Sequence, residues 1–309
     1  MIQFAILSNV TSDILAQCLA KKGTVWVPNG YDTWAQVALD PKSALYSLKP
    51  DVAVVVLDGR ALLATCAGLE DACPIIEQCR QTISVLAKQL PGSLILIATL
   101  DVPHDRIVPL SSRRPEREWE YQWWRMAMEL SETYSQVYPF ELKEIIERIG
   151  RQQFYSSKMW YAGNIPYSLK AYEAISQEIQ WIVNGWQGHR AKCLALDLDN
   201  TLWGGVVGED GKEGLQLSGA KEGAIYKDFQ KRIKELKATG TTLAVVSKNN
   251  LPDAVDVIEN HPCMVLRMAD FVDSEINWES KASNLKKIVQ RLNIGLNACV
   301  FVDDNPAER

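Results

Sequence analysis

From its first residues to its last, this chain alternates short apolar runs that end in polar or acidic side chains with stretches of helical spacing. Parallel strands need long crossovers, usually helical, so this alternation points to strand-helix-strand units around parallel sheets, an α/β fold. Runs at 4–7, 24–27, 52–57 and 94–98 read as strands, and 13–21 and 70–89 as helices. The stretch 115–150 reads as mostly helical, with Trp119, Trp123 and Trp124, then Phe140, Leu142, Ile145, Ile146 and Ile149 at near-helical spacing. A helix over 167–183 places Ala171, Ile175, Ile179 and Ile182 on one face.

Gly185 and Gly188 then break the pattern, and at 309 residues the chain exceeds one average domain of roughly 100–200 residues. The boundary is placed here, giving an N-terminal α/β domain over 1–188 and a second over 189–309. In the second, 193–198, 242–246 and 298–302 read as strands and 225–237, 252–259 and 281–292 as helices. Ile225, Phe229, Ile233 and Leu236 form the expected buried stripe of the first of these helices.

Composition removes several function classes. A net charge of −5 without a long run of Lys or Arg argues against a nucleic-acid partner. Seven cysteines, with no Cys-x-x-Cys pair and mostly in apolar or helical stretches, read as reduced, buried thiols of a cytoplasmic protein. The apolar start has no basic flank and is only strand-length, so neither a signal peptide nor a membrane partner is expected.

The chemistry-bearing signal is Leu196-Asp197-Leu198-Asp199-Asn200-Thr201 at the end of the first strand of the second domain. Two carboxylates two residues apart on a strand converge on one site, and their repulsion calls for a cation or a proton between them. The strand over 298–302 also ends in an acidic pair, Asp303-Asp304, and strand ends on one side of a parallel sheet share a crevice. Such a carboxylate set is a hard-oxygen site suited to Mg²⁺. The strand over 242–246 is followed by Ser247, Lys248 and Asn249, and Lys281 lies three residues beyond Trp278.

Asp-x-Asp-x-Thr, a strand-end Ser, a later Lys and a strand-end Asp-Asp, in that order, resemble the four motifs of the haloacid dehalogenase-like phosphatases. The resemblance implies a Rossmann-like domain with Asp197 as nucleophile and Asp199 as general acid and base. It further implies Mg²⁺ held by Asp197, the Asp199 carbonyl and Asp303 or Asp304. Thr201, Ser247 and Lys281 would hold or neutralise the phosphoryl oxygens, with Lys248 and Asn249 also candidates for substrate binding. Taken one by one, these residues read better as a helix cap, a solvated lysine and strand-end turn acids, which leaves their joint arrangement unexplained.

A finer resemblance covers the whole chain. Lys192 to Gly211, Val246 to Asn250, Trp278-Glu279-Ser280-Lys281 and Phe301 to Arg309 look like the FkbH-like family. So do Tyr31-Asp32-Thr33-Trp34, Ser43-Ala44-Leu45-Tyr46 and Trp160 to Ser168 in the N-terminal half. The resemblance implies removal of phosphate from 1,3-bisphosphoglycerate and loading of a glyceryl unit onto the phosphopantetheine arm of an acyl carrier protein for polyketide synthesis. A phosphatase of a small phosphomonoester, without acyl transfer, is the alternative. A carrier-docking module with no turnover is a third.

Cys193 precedes Asp197 by four residues, about 13 Å along a strand, and Cys299 stands in the same relation to Asp303, so both are expected in the core. Cys66, Cys73 and Cys79 lie in or beside helices, where burial is the default. Direct transfer to the carrier thiol is therefore open beside an enzyme thioester. The family's N-terminal half is likened to SGNH hydrolases, which makes Ser8 and Asn9 a candidate second site with His104 nearby in sequence. A helix-capping role for Ser8 or Asn9 with Thr11 is the competing expectation. Tyr31, Trp34, Trp160, Tyr161 and Tyr167 either line a groove for the carrier arm or belong to the core. The glycine-rich insert 203–219 is expected to form a hairpin flap over the site. Because the resembling pattern runs on past Arg309, the second domain is expected to be C-terminally truncated.

Overall fold

The computed structural model describes residues 1–64, 66, 69–103 and 115–308, which divide into two units, Met1–Gln187 and Gly188–Arg309. In the first, strands β1 (Ile2–Leu7), β2 (Gly23–Trp26), β3 (Val52–Val55), β4 (Leu94–Ala98) and β5 (Val137–Phe140) form a parallel sheet ordered β2-β1-β3-β4-β5. Every residue of β3 and β4 is buried. This is why both read as unbroken apolar runs: helices cover both faces. One face packs on helices Leu69–Gln89 and Glu116–Thr133 through Ile83, Trp119 and Trp123. The other packs on Asp13–Ala20, Leu142–Ile149 and Leu169–Trp186 through Leu15, Ile145 and Ile175.

Two expectations change in this unit. Strand β5 lies inside the stretch expected to be helical, because the apolar spacing from Phe140 to Ile149 runs across a strand-to-helix junction. Pro139 is tolerated because β5 is an edge strand. The helix expected from residue 167 begins at Leu169 instead, where Ser168 Oγ accepts from Ala171 N at 3.2 Å as its cap.

The second unit holds β6 (Cys193–Leu196), β7 (Thr242–Ser247), β8 (Asp273–Ile276) and β9 (Cys299–Val302), all parallel and ordered β8-β7-β6-β9. The edge strand β8 reads Asp-Ser-Glu-Ile and was not expected as a strand. Arg291, from the helix Lys281–Arg291, neutralises its two acids at 2.7 Å from Asp273 and 2.7 Å from Glu275. The helix Lys221–Ala238 buries only part of the expected stripe: Ile233 is buried and Phe229 partly covered, while Ile225 and Leu236 are 69% and 42% exposed. Gly223, Gln230 and the partly covered Tyr226 complete its packed face. The glycine-rich insert is mainly a helix, Val207–Gly214, broken at Gly211 (φ 64°). Its hairpin character is confined to an antiparallel bridge between Gly204 and Gln216.

Candidate active site

The site is assembled at the carboxyl ends of β6, β7 and β9. Leu196 is level with Val245 and Val302, so Asp197, Ser247 and Asp303 leave adjacent strands on one side of the sheet. The backbone of Asp197 is tied to β9 by its N–H, which donates to Val302 O at 3.0 Å. Beyond it the chain turns through Asn200, whose φ of 53° suits an asparagine and whose Oδ1 accepts from Gly205 N at 2.9 Å.

Asp197 is 4% exposed. Its Oδ1 accepts from Ser247 Oγ at 2.6 Å and its Oδ2 from Lys281 Nζ at 2.8 Å. The same ammonium donates to Asp303 Oδ2 at 2.6 Å, so one buried lysine bridges two buried carboxylates. Burial raises the pKa of Asp197 above the usual carboxylate range, against the lowering effect of Lys281 and Ser247. Burial also opposes the Lys281 charge, but the bonds to Asp197 and Asp303 outweigh it and raise its pKa. Lys281 is therefore a cation at neutral pH.

One carboxylate oxygen from each of Asp197, Asp303 and Asp304 lies within 4.8 Å of the others, a cluster that could hold a metal ion. Three carboxylates against one ammonium leave an excess of negative charge on hard oxygen ligands, and the set fits a small divalent cation. The Asp199 carboxylate is outside this cluster. It is half-buried, its Oδ1 accepting from Trp203 Nε1 at 2.9 Å and Val207 N at 3.1 Å and its Oδ2 from Asn249 Nδ2 at 2.9 Å. Asn249 also donates to Ser247 Oγ at 3.2 Å, which links the two acid positions. Thr201 is buried, and among the described residues its hydroxyl has no hydrogen-bond partner. Lys248 stands apart, its ammonium on Glu308 at 2.7 Å.

Two residues that sequence reasoning did not select shape this site. Trp203 is fully buried and orients Asp199. Gln230, also fully buried, donates to Leu202 O at 2.7 Å and accepts from Val265 N at 2.8 Å and Leu266 N at 3.2 Å, anchoring the turn after Asp199. A glutamine on a helix carries no periodic signal, whereas the proximity of Trp203 to the Asp-x-Asp pair was a usable one.

Residues 5–184 match the family model described as FkbH, N-terminal domain. The chain belongs to the FkbH family. Its fold is similar to the N-terminal part of the protein BF1531 from Bacteroides fragilis, a structure containing a phosphatase domain complexed with Mg. The two are 30% identical over 99% of this FkbH chain and 85% of that one, with a TM-score of 0.89. The lipase/acylhydrolase from Enterococcus faecalis shares 17% identity over 60% of this chain and 97% of its own, at a TM-score of 0.40. The Clostridium thermocellum family 3 carbohydrate esterase stands at 14%, 60%, 98% and 0.40. A comparison with curated protein sequences gave no match.

The N-terminal FkbH unit places Ser8 at the end of β1, half-buried beside a cleft of about 300 Å³ that Thr11, Asn29 and Tyr31 also line. Ser8 Oγ accepts from Val10 N at 3.3 Å, and the Asn9 amide is spent on the backbone of Asp58 at 2.8 and 3.1 Å. Neither caps a helix: Ser12 holds the N-cap position of Asp13–Ala20, and Thr11 Oγ1 donates to Gly163 O. His104 is the unit's one histidine and lies outside the described residues. Of the aromatic residues weighed for a groove, Trp34 and Tyr167 are core, while Tyr31 and Tyr161 are exposed. Cys193, Cys66 and Cys79 are buried, Cys299 and Cys263 are intermediate, and Cys73 is exposed. The exposure of Cys73 departs from expectation because it lies on the solvent side of Leu69–Gln89, beside exposed Asp71 and Pro74. Among the described residues no helix is long and apolar enough to cross a membrane.

Proposed function

We propose that this chain is a Mg²⁺-dependent phosphatase of the haloacid dehalogenase type, working through an aspartyl-phosphate on Asp197. The observation that carries the reading is the convergence of Asp197, Ser247, Lys281 and Asp303 through bonds of 2.6 to 2.8 Å at adjoining strand ends. The Mg in the BF1531 structure and that protein's phosphatase domain support it.

In this reading the Asp197 carboxylate attacks phosphorus as the bond to the leaving oxygen breaks, and Asp199 supplies that oxygen with a proton. Asp199 then takes a proton from the water that hydrolyses the acyl phosphate, which restores both acids. Lys281 and Ser247 position Asp197, and the unpartnered Thr201 hydroxyl is a buried donor for a phosphoryl oxygen. Asp197, Asp303 and Asp304 would hold Mg²⁺, which when bound would neutralise charge on the phosphoryl group.

The substrate proposed is 1,3-bisphosphoglycerate, with the glyceryl unit passing to the thiol of an acyl carrier protein. Its acyl phosphate is already activated for thiol attack, and its phosphomonoester suits an aspartate nucleophile. Cys193 and Cys299 begin β6 and β9, at the far ends from Asp197 and Asp303, which favours direct transfer to the carrier thiol. The same observation favours the second reading, a phosphatase of a small phosphomonoester without acyl transfer. Asp197→Asn should reduce Mg²⁺-dependent phosphate release from 1,3-bisphosphoglycerate to background, and unchanged release would overturn the phosphatase. Mass spectrometry of carrier protein incubated with enzyme and 1,3-bisphosphoglycerate separates the readings, since only the first adds a glyceryl mass.

A further inference from the structure

Two of the chain's seven cysteines face each other across a strand pair in the second unit. Cys193 opens β6 and Cys299 opens β9, and the parallel ladder makes them register partners. Both thiols lie on the face of the sheet that Ile288 and Leu292 cover. Neighbouring strands run about 4.8 Å apart, inside the Cα separation of roughly 4.4–6.8 Å that a disulfide spans. None of the other five cysteines lies in a strand, so this juxtaposition belongs to one pair alone.

The two sulfurs differ in what they offer. Cys193 is fully buried, whereas Cys299 is partly exposed on an edge strand, so a reagent in solution reaches the pair through Cys299. The thiols hydrogen-bond to each other, which holds Cys193 below the ordinary thiol range and pushes Cys299 above it. A proton is thus held between an accessible sulfur and a more acidic one, and thiolate is the form that attacks a disulfide or resolves a mixed one. The phosphatase chemistry proposed above uses neither group. Strand spacing also sets the Cβ atoms of register partners farther apart than the roughly 3.8 Å of a relaxed bridge, and a bridge closed under strain is readily reduced again.

We propose that Cys193 and Cys299 are a redox modification site, closing to a reversible disulfide with a small-molecule disulfide, R–S–S–R, as oxidant. Cys299 attacks one sulfur of R–S–S–R, its proton passes to Cys193 across their hydrogen bond, and the first R–S⁻ leaves. Cys193 then attacks the Cys299 sulfur of the mixed disulfide, loses that proton to water and expels the second R–S⁻. In sum, two protein thiols and R–S–S–R become one protein disulfide and two R–SH, and two electrons pass to the oxidant. The bridge ties the edge strand β9 to its one neighbour, β6. Asp197 and the Asp303-Asp304 pair follow at the other ends of these two strands, so oxidation braces the ladder that brings the three carboxylates together.

The test incubates the full chain with glutathione disulfide and maps its peptides by mass spectrometry without reduction. The expected product joins the Cys193 peptide to the Cys299 peptide, and dithiothreitol restores both thiols. In Cys193→Ala the resolving thiol is gone, so glutathione should stay on Cys299 at an occupancy at least about tenfold above that of the unaltered chain. Hydrogen exchange of the Cys299–Val302 amides should slow by at least about tenfold on oxidation, and not in Cys299→Ala. A glutathione adduct on the exposed Cys73 in the same map shows that the oxidant was active. With that adduct present, Cys193 and Cys299 both left reduced, or Cys299 of the unaltered chain carrying only glutathione, overturns the disulfide. A cross-link that leaves the exchange of β9 unchanged overturns the brace.

Discussion

Asp58, at the carboxyl end of β3, is a buried acid whose position is fixed from three directions. Its Oδ1 accepts from Ala61 N at 2.9 Å, and its backbone N–H and carbonyl are both engaged by the Asn9 amide. Burial is the main cause that pushes its pKa up to about 6, against the lowering effect of the Ala61 N–H and of Arg60. A folded pKa above the unfolded value of roughly 4 means that the folded state binds the proton more tightly. Stability from this group is thus fully present below about pH 4 and lost as pH rises through about 6. A shift of about two units corresponds to at most ~3 kcal/mol at 1.36 kcal/mol per unit. Asp58→Asn keeps a good N-cap and removes the charge, so it should stabilise the N-terminal unit by about 1–3 kcal/mol at pH 8 and hardly at all at pH 4. Urea denaturation at the two pH values checks this; an equal effect at both would exclude the buried charge as the cause.

At the level of elements, the strands that sequence reading found are, apart from the edge strand β2, those buried on both faces or ending in the acidic motifs. β3, β4, β6 and β7 are nearly uniform apolar runs because helices cover both sides. The strands it missed, β5 and β8, are edges of four residues, one carrying Pro139 and the other two acids neutralised by Arg291. Neither has a run long or apolar enough to stand out, since partners remote in sequence satisfy what the strand itself lacks. The acidic positions were legible because the Asp pairs close apolar runs, whereas the hydrogen bonds of Trp203 and Gln230 depend on how the chain returns. Gln230→Leu should show the cost of the latter. It leaves the Leu202 carbonyl and the Val265 and Leu266 N–H groups without their partner, at about 1–3 kcal/mol for each group that stays dry. A loss of at least about 2 kcal/mol is expected in chemical denaturation, and a loss below about 0.5 kcal/mol would mean that water replaces the amide.

For the molecule as a whole, the acidic cluster belongs entirely to one of the two units. A cation that binds the folded form alone adds about 2.7 kcal/mol at one hundred times its Kd. Millimolar Mg²⁺ should therefore raise the thermal transition of Gly188–Arg309 and leave that of Met1–Gln187 in place, with chelator reversing the shift in calorimetry. A Mg²⁺ response confined to the first unit, or none in either, would count against a metal at Asp197, Asp303 and Asp304.

The pairing of β6 with β9 has a kinetic corollary. Cys193 lies beside Cys299 and Leu196 beside Val302, so this ladder joins residues about a hundred positions apart. Pairings of such long range carry a large closure entropy and form late on the folding path. Because Asp303 and Asp304 directly follow β9, the three carboxylates meet only when that last ladder closes. Cation affinity should thus arise late in refolding, so that a partly folded chain cannot bring the three carboxylates together before its sheet is complete.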